Sequence, residues 1–374
     1  MDKSEEKRGI MIEDIINGML DWVRVVDREN KVIFVNKAMA QGIKDCKTDE
    51  LCYKLLGREA PCENCISRNA IFNGTSYCKQ EIIDDRIFSV MSSPVKNQNG
   101  EIVAAVEVLR DVTELHMLQE KVMLQNKKLM DDLSLAKKLQ CNLLPKALPD
   151  NKIKFSFIYQ PCEELGGDFL DIFEVDNDHL GVYIADVSGH GLPASMLTVF
   201  LRSAIDKKTL SPSLALSKLY TDFSNSNFDQ DAYITVFYAV INLKDRSIKY
   251  SNAGHNVSPI IFNLEDPDRF ELLMIPGTPI SNWFEKAEYN EKELLLMKSD
   301  RLFLCTDGVI ELKNKKGYQF GEDRIRNVLF TDKSEPSSTL SRIIEEAMDF
   351  AQIDDFSMIK DDITMALIEI NEDK

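Results

Sequence analysis

Hydrophobic and polar residues change rhythm three times along the chain. From about Ile10 to Val112 short alternating runs predominate. The segment "DWVRVVDRENKVIFVNKAM" predicts a strand, a polar turn at Arg28–Asn30, a second strand and a helix opening near Asn36. Further on, "RIFSVMSSPVKNQNGEIVAAVEVLRDVTE" predicts a long hairpin with its loop at Asn97–Gly100, running into a helix. The order is two strands, short helices, three strands and a helical exit. From Thr113 to Leu148 the rhythm becomes helical, with no Gly and no Pro before Pro145. Spacing by seven gives an apolar row at Leu115, Val122, Leu129, Ala136 and Leu143. The companion row, Leu118, Gln125, Asp132 and Leu139, is apolar only at its ends, so the expectation is a coiled-coil seam with a weak middle. The alternative is one amphipathic helix packed on its own domain.

From about Pro149 the chain turns strand-rich. Strands are expected at Lys154–Gln160, Phe169–Val175, His179–Asp186, Tyr233–Asn242, Ser247–Asn252, Ser258–Phe262, Arg301–Thr306 and Ile363–Ile370. Helices are expected at Leu192–Asp206, Ser213–Phe223, Glu322–Leu329 and Ser338–Gln352. Short turns join most neighbouring strands, which favours antiparallel sheets. Three segments follow: 1–112, 113–148 and 149–374, an α+β chain overall.

Composition narrows the function. The chain has 374 residues, enough for two or three domains, and a net charge of −17. That charge argues against nucleic acid or an anionic membrane as the main partner. No apolar run approaches the roughly 20 residues of a spanning helix. The charged start "MDKSEEKRGI" lacks the apolar stretch of a signal peptide, so a cytoplasmic location is expected. The eight cysteines are then expected as thiols, metal ligands or redox groups rather than structural disulfides.

The chemistry-bearing pattern is a set of acids at strand ends: Asp168 in "GGDFLDIF", Asp186 in "ADVSGHG", Asp307 in "CTDGVIE", and Asp361 with Asp362 in "KDDITMAL". Any one of them could be a turn or a cap. Five in one domain, each bordering an apolar strand, point instead to carboxylates whose burial is offset by cations. Hard oxygen ligands without Cys or His companions suit Mg²⁺ or Mn²⁺. Two such ions, roughly 3.5–4 Å apart, can activate a water and orient a phosphate.

In order along the chain stand "LLP", "GGDFLDIF", "ADVSGHGLPASM", "YITVFYAVIN", "YSNAGHN", "GTPIS", "LFLCTDGVIE" and "KDDITMALIEI". This set resembles the metal-dependent serine/threonine phosphatases (PPM family) of the stage II sporulation protein E and sigma-factor-regulator branch. The resemblance implies a β-sandwich flanked by helices. It implies that Asp186 bridges two Mn²⁺ or Mg²⁺ ions beside the Val187 carbonyl, that Asp168 binds one ion, and that Asp307 and Asp361 hold the other. Asp362 is implied to stand behind them or to reach an ion through water. The implied substrate is a phosphoserine on a regulatory protein such as an anti-anti-sigma factor, and the implied nucleophile is an activated water rather than a side chain. His190 and His255 are accordingly expected to be structural or at the substrate edge. The "VVD…N" opening and "DVTE" exit of residues 1–112 resemble the PAS sensor fold. With the heptad row, they lead to the expectation of a homodimer in which a sensor controls the phosphatase.

Rival readings exist. "GGDFL" superficially matches the diguanylate cyclase signature, but its acid–Phe order differs. A sensor kinase could use His116, yet no glycine-rich ATP-binding box follows. A catalytically weak partner-switching scaffold remains the alternative, against which the complete acid set argues. In the sensor segment, Cys62-x-x-Cys65 has chelating spacing and Cys52 could complete a site for a metal, an Fe–S cluster or a redox pair. The bland reading is a turn with packing thiols.

Overall fold

The computed structural model describes residues 12–146 and 153–370. The charged start, on which the signal-peptide expectation rests, and residues 149–152 of the third segment lie outside them. The chain divides into two compact units, Met1–Leu129 and Met130–Lys374.

The first unit contains α1 (Ile12–Asn17), β1 (Trp22–Asp27), β2 (Val32–Val35), α2 (Lys37–Gly42), α3 (Cys52–Leu55), α4 (Ile66–Asn73), β3 (Tyr77–Ile83), β4 (Arg86–Lys96) and β5 (Ile102–Asp111). Its sheet has the order β2-β1-β5-β4-β3, with every pair antiparallel. The predicted turn forms with Asn30 in the left-handed region, a conformation Asn tolerates. Asn36 opens α2 as expected. Its Oδ1 accepts the Met39 N–H at 3.0 Å and its Nδ2 donates to the Asp21 carbonyl at 2.9 Å, which ties the helix to β1. Trp22, Val26, Met39, Phe88, Val90 and Leu109 fill the core beneath α2, α3 and α4.

The long helix α5 spans Thr113–Leu143, and the division between units falls inside it. The only residue it fully buries is Gln140. Its apolar row stands open along most of its length: Leu115, Val122 and Leu129 are 55%, 53% and 57% exposed.

The second unit continues with β6 (Ile153–Gln160), β7 (Phe169–Glu174), β8 (His179–Val187), α6 (Gly191–Ala204), α7 (Pro212–Asn225), β9 (Tyr233–Asn242), β10 (Ser247–Ala253), β11 (Ile260–Asn263), β12 (Phe270–Leu272), β13 (Ile280–Ser281), β14 (Lys292–Leu295), β15 (Asp300–Cys305), α8 (Asp307–Glu311), α9 (Glu322–Thr331), α10 (Pro336–Ala351) and β16 (Ile363–Ile370). One sheet runs β14-β10-β9-β8-β7, with β13 paired to β9, and the other runs β12-β11-β15-β16-β6. All the pairings are antiparallel.

Continuous apolar runs such as "LGVYIAD" and "RLFLC" explain the layering, because strands buried on both faces need no alternation. Leu170, Val182, Ile184 and Phe237 meet Leu302, Leu304, Ala366 and Ile368 between the sheets. The outer face of the first sheet packs on α6 and α7 through Tyr183, Val236, Leu201 and Leu219. That of the second packs on α9 and α10 through Phe303, Met365, Val328 and Ile343. The helix–sheet–sheet–helix sandwich has the predicted strands within a residue or two. Short β12, β13 and β14 and the single-turn α8 carry too few residues to show a period.

Candidate metal centre

The acids meet at one end of the sandwich, brought together from both sheets. Asp168 ends the Gly166–Gly167 turn just before β7, and Asp186 is the second-to-last residue of β8. Asp307 opens α8 immediately after β15, and Asp361 and Asp362 precede β16. β7 pairs with β8 and β15 with β16, so each sheet supplies neighbouring acids to the same end.

Asp168 is 2% exposed, and Thr306 Oγ1 donates to its Oδ2 at 2.7 Å. Burial pushes its carboxyl well above the usual range, and Asp186 and Asp362 push it further. Asp186 is pushed up to about 7, first by burial, then by Asp307, Asp361 and Asp362. Asp361 stands at the exposed mouth and is shifted upward by partial desolvation and by Asp307. The charged neighbours behind these shifts are all carboxylates, with no Lys or Arg among them. Carboxylates gathered without a basic partner fit divalent cations, and an all-oxygen donor set suits Mg²⁺ or Mn²⁺. Among the described residues no three or more His, Cys, Asp or Glu side chains are already drawn close enough together to hold a metal ion. What the acids offer is a rim drawn from two sheets.

Asp362 does something else. Its Oδ1 accepts the Cys162 N–H at 2.8 Å, and its Oδ2 accepts the N–H groups of Gly167 at 2.5 Å and Asp168 at 3.3 Å. It therefore pins the loop that presents Asp168. Two glycines make this approach possible. A Cβ on Gly308 would lie 2.0 Å from the Asp362 carbonyl oxygen, and one on Gly167 would press on the Val187 carbonyl at 3.0 Å. Val187 is itself tied back by its N–H to the Gly167 carbonyl.

The "SGHG" glycines divide their labour. Gly189, with φ of +86°, has open space around it, so conformation rather than close approach requires glycine there. Gly191 has both a positive φ and the Glu163 carboxylate where a Cβ would go. His190 pairs with that Glu163 at 2.8 Å in solvent at the rim. His255 is structural: it is buried, its Nε2 meets the Cys305 carbonyl at 3.1 Å, and burial holds its imidazole down at about 4.

Several contributors were not singled out from sequence. Thr306 sits beside Asp307 in "CTDG", a signal that was present. Asn256 Nδ2 donates to Asp307 Oδ2 at 2.7 Å from the "AGHN" turn. Gln140 had no local signal. It donates to the Gly166 carbonyl at 2.8 Å, accepts the Gly166 N–H at 3.2 Å and reaches Thr198 Oγ1 on α6.

Three cysteines of the first unit gather as well. Cys52 is buried at the start of α3, and Cys65 caps α4, accepting the Arg68 N–H at 3.5 Å. Cys62 Sγ accepts from Arg58 Nη1 at 3.1 Å. All three line one cavity of about 170 Å³, and all are free thiols. Burial pushes the Cys52 thiol up to about 11.

The sandwich and its acid rim define a mixed α/β phosphatase fold of the PP2C type. The SiaA-PP2C domain of Pseudomonas aeruginosa has the same fold at a TM-score of 0.56 and 19% identity, covering 66% of this chain and 99% of that one. The stage II sporulation protein E (SpoIIE) family profile matches residues 176–371, and the chain belongs to that family. Phosphoserine phosphatase RsbP of Bacillus subtilis is 30% identical over 189 residues, 48% of this chain and 45% of that protein. Phosphoserine phosphatase RsbU of the same organism is 26% identical over 235 residues, 61% of this chain and 69% of that protein. The chain thus spans less than half of RsbP. Among the described residues no helix is long and apolar enough to cross a membrane.

Proposed function

We propose that this chain is a sensor-regulated, Mn²⁺- or Mg²⁺-dependent protein serine/threonine phosphatase acting on phosphoserine of a regulatory protein of the anti-anti-sigma-factor kind. The observation that carries the reading is the convergence of Asp168, Asp186, Asp307 and Asp361 from two sheets with no basic partner in the set. Asp186, whose carboxyl interacts with Asp168 and also with Asp307 and Asp361, would be shared by both ions, with the Val187 carbonyl beside it. Asp168 would hold one ion, and Asp307 and Asp361 the other. When bound, the ions supply charge compensation and an activated water for attack on phosphorus. The chain's own residues do the positioning: Thr306 aims Asp168, Asn256 aims Asp307, and Asp362 fixes the loop that presents Asp168. His190 and Glu163 stand exposed at the rim, on the side from which a protein-borne phosphoserine would approach.

The test is a Mn²⁺-dependent assay on a chromogenic phosphomonoester. Asp186→Asn and Asp307→Asn should each cut turnover about 10²–10³-fold, the scale for losing a preorganised electrostatic group, with circular dichroism unchanged. Near-normal turnover in both would leave the partner-switching scaffold as the better account.

Residues 1–112 we read as a PAS-type sensor, on the strand order β2-β1-β5-β4-β3 with its intervening helices. Cys52, Cys62 and Cys65 are its proposed input, as a metal, Fe–S or redox-thiol site, because all three line one cavity. Anaerobic purification with zinc, iron and free-thiol counts tests this. Metal-free protein whose output ignores both oxidant and Cys62→Ser/Cys65→Ser would return them to packing.

A further inference from the structure

A second polar site lies in the phosphatase unit, away from the acid rim. It is a cleft of about 350 Å³ where the end of α5 meets β7 and α6, lined among others by Asn142, Lys146, Asp171, Phe173, Arg202 and Lys207. Three of these are cations and one is an acid, in a chain whose net charge is −17. Lys207 already serves the acid: its Nζ lies 2.5 Å from Asp171 Oδ2 and 4.8 Å from the Phe173 ring centroid. Arg202 has no such service. Its Nη1 is shut off from solvent and lacks a hydrogen-bond partner among the described residues. The rest of the guanidinium lines the cleft, and a half-buried guanidinium with no acid against it is costly, a cost that an anion in the cleft offsets through the accessible donors.

We propose that this cleft is a binding site for a phosphate-type oxyanion. Once Asp171 is set against Lys207, Arg202 and Lys146 leave two positive charges, which match a phosphate dianion. Arginine's planar pair of donors suits two oxygens of a tetrahedral group, Lys146 adds a point charge, and the Asn142 amide adds a neutral donor. The position gives the site a purpose. Asp171 lies on β7, three residues beyond Asp168, and Arg202 lies on α6, which begins at the end of the Asp186–Gly191 loop. Asn142 and Lys146 belong to the end of α5 and the segment after it. An anion held here ties the chain's entry into the phosphatase unit to both elements that carry metal-binding acids, and so acts as an effector. The oxyanion could be free inorganic phosphate, which phosphatase chemistry releases, or the phosphate of a nucleotide stacked on Phe173. Binding itself does not depend on the catalytic reading.

Calorimetry separates these possibilities. The full chain is stripped of divalent ions by chelation and dialysis, so that the acid rim repels anions, and is titrated at constant ionic strength with inorganic phosphate. A second arm uses ATP. One equivalent of phosphate should bind. Arg202→Gln should weaken it at least tenfold and Lys146→Gln at least threefold, while Asp307→Asn should leave it unchanged even if phosphatase activity is lost. ATP binding tenfold tighter than phosphate, with the same dependence on Arg202, would assign the oxyanion to a nucleotide. Equal or weaker ATP binding would assign it to phosphate. No saturable binding of either, or binding indifferent to both Arg202→Gln and Lys146→Gln, would overturn the proposal. Lys146→Gln keeps the test open should Arg202→Gln fold poorly.

Discussion

Asp186 illustrates how much one side chain carries at this site. Its carboxyl is pushed up to about 7 by burial and by Asp307, Asp361 and Asp362, so the folded chain without metal holds a proton that the unfolded chain releases near pH 4. The stability this group contributes therefore falls as pH rises from about 4, and levels off once the folded carboxyl also ionises near 7. Asp168 is shifted in the same direction. Carboxylates held low, such as Asp176, Asp206 and Asp332, act below the ordinary range, whereas His255, held down at about 4, contributes in the opposite sense as pH rises towards the ordinary imidazole range. The Asp186 contribution is therefore read against metal-free Asp186→Asn: relative to that variant, the metal-free wild type should lose on the order of 2–4 kcal/mol between about pH 5 and 8, roughly 5–10 °C in Tm. Mn²⁺ at pH 8 should restore the loss. Thermal unfolding of the two proteins decides it, and parallel pH profiles would contradict the assignment. The acids themselves were readable because carboxylates beside glycines at the ends of apolar strands have few other uses. The division of roles among them was not. Asp362 spends its oxygens on backbone N–H groups nearly 200 positions away in sequence, and no local spacing records that.

At the scale of elements, the long apolar runs and the paired short turns made both sheets of the sandwich legible. What stayed hidden was contact between elements distant in sequence, and Gln140 is the clearest case. It occupies an ordinary polar position on α5, yet its amide makes a two-way clamp on Gly166, two residues before Asp168, and it touches Thr198 on α6. The clamp satisfies both backbone polar groups of a residue that has no room for a side chain. A Cβ on Gly166 would lie 2.5 Å from the Tyr159 hydroxyl. Gln140→Leu keeps much of the volume but leaves the Gly166 N–H and C=O without these partners, at a cost of about 1–3 kcal/mol. The loop presenting Asp168 should loosen. Half-saturation of turnover by Mn²⁺ should rise about tenfold, with kcat at saturating metal falling far less. Gln140→Glu, which keeps only the acceptor half, should fall between. An unchanged Mn²⁺ dependence in Gln140→Leu would show that Asp362 alone holds this loop.

For the whole molecule, the uncovered apolar row of α5 sets the assembly. Leu115, Leu118, Val122 and Leu129 are each more than half exposed, and no described element packs over them. Apolar residues repeated every three to four positions over several turns are more regular than the scattered exposed leucines of ordinary surfaces. The proposed occupant is the same helix of a second chain, in a parallel seam. The seam weakens at Gln125 and Asp132, where the companion row turns polar. Beyond Leu135 the helix is engaged within the phosphatase unit, through Lys137 to Glu164 and through Gln140 to Gly166. A change in the seam would therefore reach the Asp168 loop along one continuous helix. Sedimentation should find a dimer, and Val122→Glu/Leu129→Glu should give a monomer, since two buried like charges per chain outweigh what the remaining leucines contribute. Both substituted positions lie in the first unit, so metal-dependent hydrolysis of a small phosphomonoester should survive while its dependence on sensor state disappears. Gln125→Leu/Asp132→Leu should do the reverse, tightening the dimer and fixing activity at one level. A wild-type chain that sediments as a monomer while its activity still follows the sensor would place the switch elsewhere, and would leave the exposed row to some other partner.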